Sequence, residues 1–130
     1  MEKPYTFPAT HRLHGSKSFE AVYDAKTRES RGPLLIYAKP NGTGHARLGL
    51  SVSRRVGNAV VRGRAKRLLR EAFRFLQHDF PLGYDLVIVV RPHQPLLLAA
   101  YQELMMALVL KLHQTWDARR KRAAGSGVVT

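Results

Sequence analysis

The chain of 130 residues carries 22 lysines and arginines against nine aspartates and glutamates, a formal net charge of +13, and no cysteine. That length bounds it to one domain with a modest core, and the missing cysteines exclude a disulfide framework and any thiolate metal site. An apolar share of 45% excludes a disordered basic tail. The composition describes a folded basic domain whose partner is a polyanion, nucleic acid before an acidic membrane surface or an acidic protein.

Residues 1–11, with Pro4 and Pro8 on either side of Tyr5 and Phe7, lack periodicity and are expected to form an extended arm. No apolar run there suits a secretory signal or a membrane span, so the expected location is the cytoplasm. From Ser16 the pattern turns helical, with Phe19, Val22, Tyr23 and Lys26 sharing one face over about three turns. Residues 34–38 and 47–53 read as strands, and Asn41-Gly42 between them is a hairpin signal. In the second of these, Leu48, Leu50 and Val52 alternate with Arg47, Gly49, Ser51 and Ser53. That alternation leaves a small, polar face suited to the floor of a groove.

Residues 54–74 hold eight lysines and arginines and one acid, Glu71. Ala65, Leu68, Leu69, Ala72, Phe73 and Leu76 recur at helical spacing and face a core, while Arg62, Lys66, Arg67, Arg70 and Arg74 occupy the other side. A merely solvated helix mixes Glu with Lys; this face is nearly all one sign and repels itself until a row of phosphates neutralises it. Asn58, after Gly57, is the expected N-cap. Pro81 and Gly83 then break the chain before residues 84–91, a nearly continuous β-branched run read as a strand buried on both faces. A helix between two strands marks a crossover, so the strands at Leu48 and Leu86 are expected to run parallel. Pro92 and Pro95 lead into a long last helix with Leu97, Tyr101, Leu104, Met105, Leu108, Leu112 and Trp116 as its core stripe. The main domain is therefore expected over 12–117. Residues 118–130, with four consecutive cations from Arg119 to Arg122, are expected to be a frayed basic tail able to add nonspecific phosphate contacts.

Protein-borne phosphodiester hydrolysis needs a general acid–base pair or carboxylates that hold metal. The nine acids are scattered, with no Asp-x-Asp, and His11, His14, His45, His78, His93 and His113 lack metal-ligand spacing. No phosphate-binding glycine loop occurs. If the chain takes part in catalysis, something else supplies the chemistry.

The run from Leu48 through Val60, followed by Arg62-Gly63-Arg64-Ala65-Lys66-Arg67-Leu68-Leu69-Arg70-Glu71-Ala72-Phe73-Arg74, closely resembles the protein subunit of bacterial ribonuclease P. Arg12-Leu13, Phe19, Val22-Tyr23, Tyr37 (where the family's first strand carries an aromatic), Gly83-Tyr84-Asp85 and Arg91-Pro92 extend the match over roughly 12–116. The resemblance implies an α+β fold, a two-layer α/β sandwich in the order α-β-β-β-α-β-α. Its third strand joins the fourth through the basic helix in a left-handed crossover, against the general right-handed preference. It also implies a ribonucleoprotein endoribonuclease in which a large RNA, with bound magnesium, removes the 5′ leader from precursor tRNA. The expected partners are the catalytic RNA and the precursor tRNA, with no membrane and no obligate protein partner.

By the same resemblance Arg54, Arg55, Asn58, Arg62, Gly63, Arg64, Lys66, Arg67 and Arg70 contact the catalytic RNA. Arg12, Phe19, Tyr23, Tyr37, Arg47 and Ser51 line a cleft for the single-stranded leader, with no catalytic or metal-binding residue in the protein. Aromatics on a polar sheet face suit this, since base stacking tolerates differing leader sequences; Phe19, a helical Phe facing a sheet, is also a natural core residue. Two departures stand out: Gly63 takes the place of the family's usual Asn, at a helix cost of about 1 kcal/mol relative to Ala. Leu34 stands where relatives often carry an aromatic, implying a cleft that stacks less. A ribosomal or RNA-chaperone protein would share the charge and build, and is the alternative. A DNA-binding module lacks its helix-turn-helix, and a protein-only nuclease lacks its catalytic groups.

Overall fold

The computed structural model describes residues 7–81 and 83–128, with side chains of the last helix as far as Ala124. Four strands, β1 (Arg28–Arg31), β2 (Leu34–Pro40), β3 (Arg47–Val52) and β4 (Tyr84–Val90), form one sheet in the order β1-β2-β4-β3. Strand β4 is buried along nearly its whole length and takes an interior place, antiparallel to β2 and parallel to β3. The parallel pairing expected of the crossover is present. The hairpin expected from Asn41-Gly42 is not, because β4 lies between β2 and β3. Both of those strands are apolar mainly on one face, whereas β4 is apolar on both, and only an interior strand buries both faces while pairing both edges.

The segment after β2 docks on β4 instead. The Asn41 backbone N–H donates to the Gly83 carbonyl at 3.2 Å, and its side-chain amide donates to Asp85 Oδ1 and the His45 carbonyl, each at 3.0 Å. Gly83 is required there, since a Cβ would stand 2.2 Å from the Thr43 carbonyl oxygen. Strand β1, Arg-Glu-Ser-Arg, shows no apolar alternation and follows only from the family order; it is a largely exposed edge. Tyr37 consequently lies on the second strand and not the first.

Helix α1 (Gly15–Asp24) ends before Lys26, which sits in the left-handed region at φ 55° and so does not share the face of Phe19, Val22 and Tyr23. Helix α2 (Ala59–Leu76) begins at Asn58, whose side-chain oxygen accepts from the Val61 N–H at 3.0 Å, and it buries Ala65, Leu69, Ala72 and Phe73. Helix α3 (Leu98–Val128) buries Tyr101, Met105, Leu108, Val109 and Leu112. Leu97 precedes the helix and is 77% exposed, so it leaves the predicted stripe.

Helix α3 also continues through the stretch expected to fray. Its 31 residues span about 46 Å. Trp116 Nε1–H donates to the Ala38 carbonyl at 2.9 Å, Arg119 donates to Thr27 Oγ1 at 2.5 Å, and Asp117 pairs with Lys121 at 3.2 Å. These contacts hold the basic turn in helical register.

Helices α2 and α3 cover one sheet face, where Leu34, Ile36, Leu48, Leu86, Ile88 and Val90 meet Leu69, Phe73, Tyr101 and Met105. The sandwich carries α1 on its other face, where Leu13 and Val22 pack on Val87 with Phe19, Tyr23 and Tyr37 at the margin. Of the expected arm, residues 1–6 lie outside the described residues. The rest folds back: Ala9–His11 form a 3-10 turn and the Phe7 ring lies 5.3 Å from Phe73. Leu34 is fully buried on the α2/α3 face, so its lack of a ring takes nothing from a cleft beside α1.

Candidate nucleic-acid interface

Arg62, Lys66, Arg70 and Arg74 recur every four residues along α2, which stacks them in one row at about 6 Å intervals along the axis. Arg64, Arg67 and Arg70 are exposed, as are Arg54 and Arg55 in the 3-10 turn Arg54–Val56 that leads into the helix. Two members of the row have local partners: Arg62 Nε–H donates to the Gly57 carbonyl at 3.2 Å, and Arg74 pairs with Glu71. Asn58 acts as a cap, its oxygen committed to Val61. Gly63 is exposed, and nothing stands within 4 Å of a Cβ built there. No close approach calls for glycine at this position.

The residues expected to form one cleft beside α1 occupy several places. Tyr23 and Tyr37 meet edge to face, 4.8 Å between centroids. The Arg28 guanidinium lies 5.8 Å from the Tyr37 ring and donates to its hydroxyl at 3.0 Å. With Lys26 these three line a shallow groove, an aromatic surface rimmed by cations. Arg28 and Lys26 do not stand out as site residues in the sequence. Arg28 faces Tyr37 only through the β1–β2 register, and the charged strand has no periodic signal by which to find it.

Arg47 lines a second groove beside α1, with Lys17, Ser18 and Ala21. Its Nε and Nη2 both donate to Asp85, each at 2.7 Å, and these hydrogen bonds raise the guanidinium pKa above its already high ordinary value. Asp85 also accepts from Asn41, so the Arg47 fork ties β3 to β4 and to the connecting loop. Phe19 lies over Gly49, where a Cβ would come within 2.6 Å of its ring tip. The small, polar face of β3 is therefore covered by α1 at its centre and does not form an open floor. Ser51, half-buried and in register with Val89, sits on the same face.

The remaining cleft residue, Arg12, changes how the two expected surfaces relate. One groove of about 270 Å³ has Arg12, His14 and Phe19 on one wall and Lys66 and Arg70 on the other, with Leu48, Gly49 and Leu50 between. The Arg12 guanidinium stands 4.7 Å over the Phe7 ring, which orients it. Residues assigned separately to the catalytic RNA and to the leader thus face each other across the β3 edge.

A small pocket nearby is lined by His11, His45 and His78, the first two with ring centroids 4.2 Å apart. Burial, then the neighbouring imidazoles, lowers the His11 pKa below its ordinary 6.5. Among the described residues no group of three His, Asp or Glu side chains is arranged to hold a metal ion, and no helix is long and apolar enough to cross a membrane. Two of the acids are held in ion pairs, Asp85 by Arg47 and Glu71 by Arg74.

A basic α+β domain that presents a cationic helix and cation-rimmed aromatics has the footprint of a nucleic-acid-binding protein. The model of the Ribonuclease P family matches residues 7–114. The "Ribonuclease P protein component" of Methylococcus capsulatus is 36% identical over 133 aligned positions, covering 97% of this chain and 98% of that one. That of Brevibacillus brevis is 44% identical over 84 residues, 64% of this chain and 67% of the relative. Among solved structures, a Staphylococcus aureus RNase P protein mutant, described as defective in mRNA degradation activity, superposes with a TM-score of 0.70 at 27% identity, covering 81% and 89% of the two chains. The Thermotoga maritima RNase P protein does so at 0.69 and 25%, covering 75% and 94%.

The chain belongs to the ribonuclease P protein family. It is a protein subunit of that ribonucleoprotein endoribonuclease and works with ribonuclease P RNA in removing the 5′ leader of tRNA precursors.

Proposed function

We propose that the protein grips two RNAs at once: the catalytic RNA along α2 and the 5′ leader of the precursor tRNA across the α1 face, with the groove at the β3 edge as the seam between them. The observation that carries this reading is that groove, where Arg12 and Phe19 oppose Lys66 and Arg70. Arg54, Arg55, Arg64 and Arg67 extend the contact with the catalytic RNA, each cation releasing counterions from the phosphates it meets. An unpaired leader base stacks against Tyr37 and Tyr23, with Lys26 and Arg28 on the flanking phosphates. Such stacking is worth roughly 1–3 kcal/mol per base and tolerates sequence variation. Arg47 and Ser51 support the sheet beneath this surface.

Magnesium belongs to the RNA subunit in this reading, and the protein lowers the amount required by screening repulsion between two polyanions. The work is placed in the cytoplasm. The test is cleavage of a 5′-leader precursor tRNA at low magnesium by a bacterial ribonuclease P RNA, with and without the protein. Strong stimulation at the mature 5′ end is expected. Tight RNA binding without stimulation, across several such RNAs, would replace this reading with that of an RNA chaperone.

A further inference from the structure

On the flank of α2 opposite Lys66, the helix stops being simply cationic. Val56, Val60, Val61 and Leu68 form the walls of a cavity of about 130 Å³ against the loop that leads into α3, with His93 and Tyr101 at its polar end and Arg64 on its rim. Val60 is 79% exposed, although it stands among arginines 54, 55, 62 and 64. A phosphate gains nothing from such a wall, and a solvated helix gains nothing from an exposed valine there. The volume is too small for a cofactor or drug-sized ligand, which takes roughly 300 Å³ or more, and it suits a single planar ring system.

We propose that this cavity receives one unpaired nucleobase of the catalytic RNA, flipped out of its strand and clamped between the valine wall and the Arg64 guanidinium. The inference rests on the reading of α2 as the catalytic-RNA surface and adds a base-specific contact to it. Arg64 supplies the edge recognition, and the polar end fixes the depth of the pocket. His93 Nδ1 lies 2.8 Å from the Arg91 carbonyl, so that nitrogen carries the proton. Nε2, 2.6 Å from the Tyr101 hydroxyl, then accepts from it. The buried phenol, which also accepts from the Leu96 backbone N–H, closes the inner end, and Arg64 on the rim offers donors to a base carbonyl. A second copy of the chain is disfavoured on this rim, because two surfaces rich in arginine repel each other.

The experiment is base-specific chemical probing of ribonuclease P RNA with dimethyl sulfate and a carbodiimide. The RNA is probed alone and bound to the wild-type protein, to Val60→Phe, whose ring fills the cavity, and to Tyr101→Phe, which removes only the hydroxyl. Melting curves of the free variants confirm that both fold. Wild type should protect the Watson–Crick edge of one unpaired base. Val60→Phe should restore its reactivity and weaken binding about fivefold or more, with the salt dependence of binding unchanged; Tyr101→Phe should weaken the protection. Identical protections with all three proteins would overturn the base pocket while leaving the α2 surface standing. If the wild-type protein binds the RNA without salt dependence, the α2 reading fails and the pocket with it. A change confined to self-association in sedimentation would hand the cavity to a second copy and overturn the proposal.

Discussion

Lys66 and Arg70 form the α2 wall of the groove at the β3 edge, and replacing both with alanine tests the seam directly. Ala is the best helix former, so α2 keeps its geometry, and the buried residues Ala65, Leu69, Ala72 and Phe73 are untouched. Every phosphate that goes without its cation lowers the slope of log K against log salt by about 0.7–0.9, so the double variant should flatten the slope by about 1.4–1.8. Salt rising from 50 to 200 mM should therefore shrink the gap between wild-type and variant affinity about tenfold. The assay is filter binding of ribonuclease P RNA over that salt series, repeated for the assembled holoenzyme with precursor tRNAs of long and very short leader. Because Arg12 and Phe19 face the same groove, the variant should also lose part of the preference for the long leader. Parallel salt lines, or a flattened slope with the leader preference intact, would refute the shared groove.

Gly63→Ala meets no neighbour within 4 Å and should stabilise the protein by about 1 kcal/mol, read as a rise in Tm of about 3–5 °C; a lower Tm would show that the glycine serves the backbone. Tyr37→Ala should weaken binding of precursor with a long leader by about 1–3 kcal/mol and leave catalytic-RNA affinity nearly unchanged, whereas Arg67→Ala should reverse that pattern in the same two binding assays. Gly83→Ala forces a Cβ against the Thr43 backbone and should cost about 1–3 kcal/mol, measured by urea unfolding. For His11, whose folded-state pKa lies below the ordinary 6.5, both states are neutral above that value and the full stability is present. As pH falls below 6.5 the unfolded chain takes up the proton first, so stability should drop until the folded pKa is passed. Melting curves from pH 7.5 to 5.5 should show this decline, and His11→Gln should flatten it.

Periodicity in the sequence determined the parts whose burial is local to one element. The α2 stripe and its cationic side, the Asn58 cap and the doubly buried β4 follow from patterns that an isolated helix or strand already expresses, and the parallel run of β3 and β4 from the helix between them. The motif around Arg62–Arg74, read as a resemblance, supplied the family and with it the charged strand β1, which no hydrophobic pattern marks. What lay beyond the sequence was the remaining choices between partners. Asn41-Gly42 specifies a turn, yet which strand lies beside β2 depends on where β4 best buries two apolar faces, a property of the whole sheet. Arg47 reads as a free cation until Asp85, 38 residues on, is brought against it. Gly49 reads as open floor until α1 sets Phe19 above it, and the basic turn after Asp117 reads as frayed until Trp116 and Arg119 find Ala38 and Thr27. The groove that joins Arg12 and Phe19 to Lys66 and Arg70 exists only because α1 and α2 pack on opposite faces of the sheet and meet at its β3 edge. A sequence pattern records which face of an element seeks burial, and the tertiary structure alone decides what buries it.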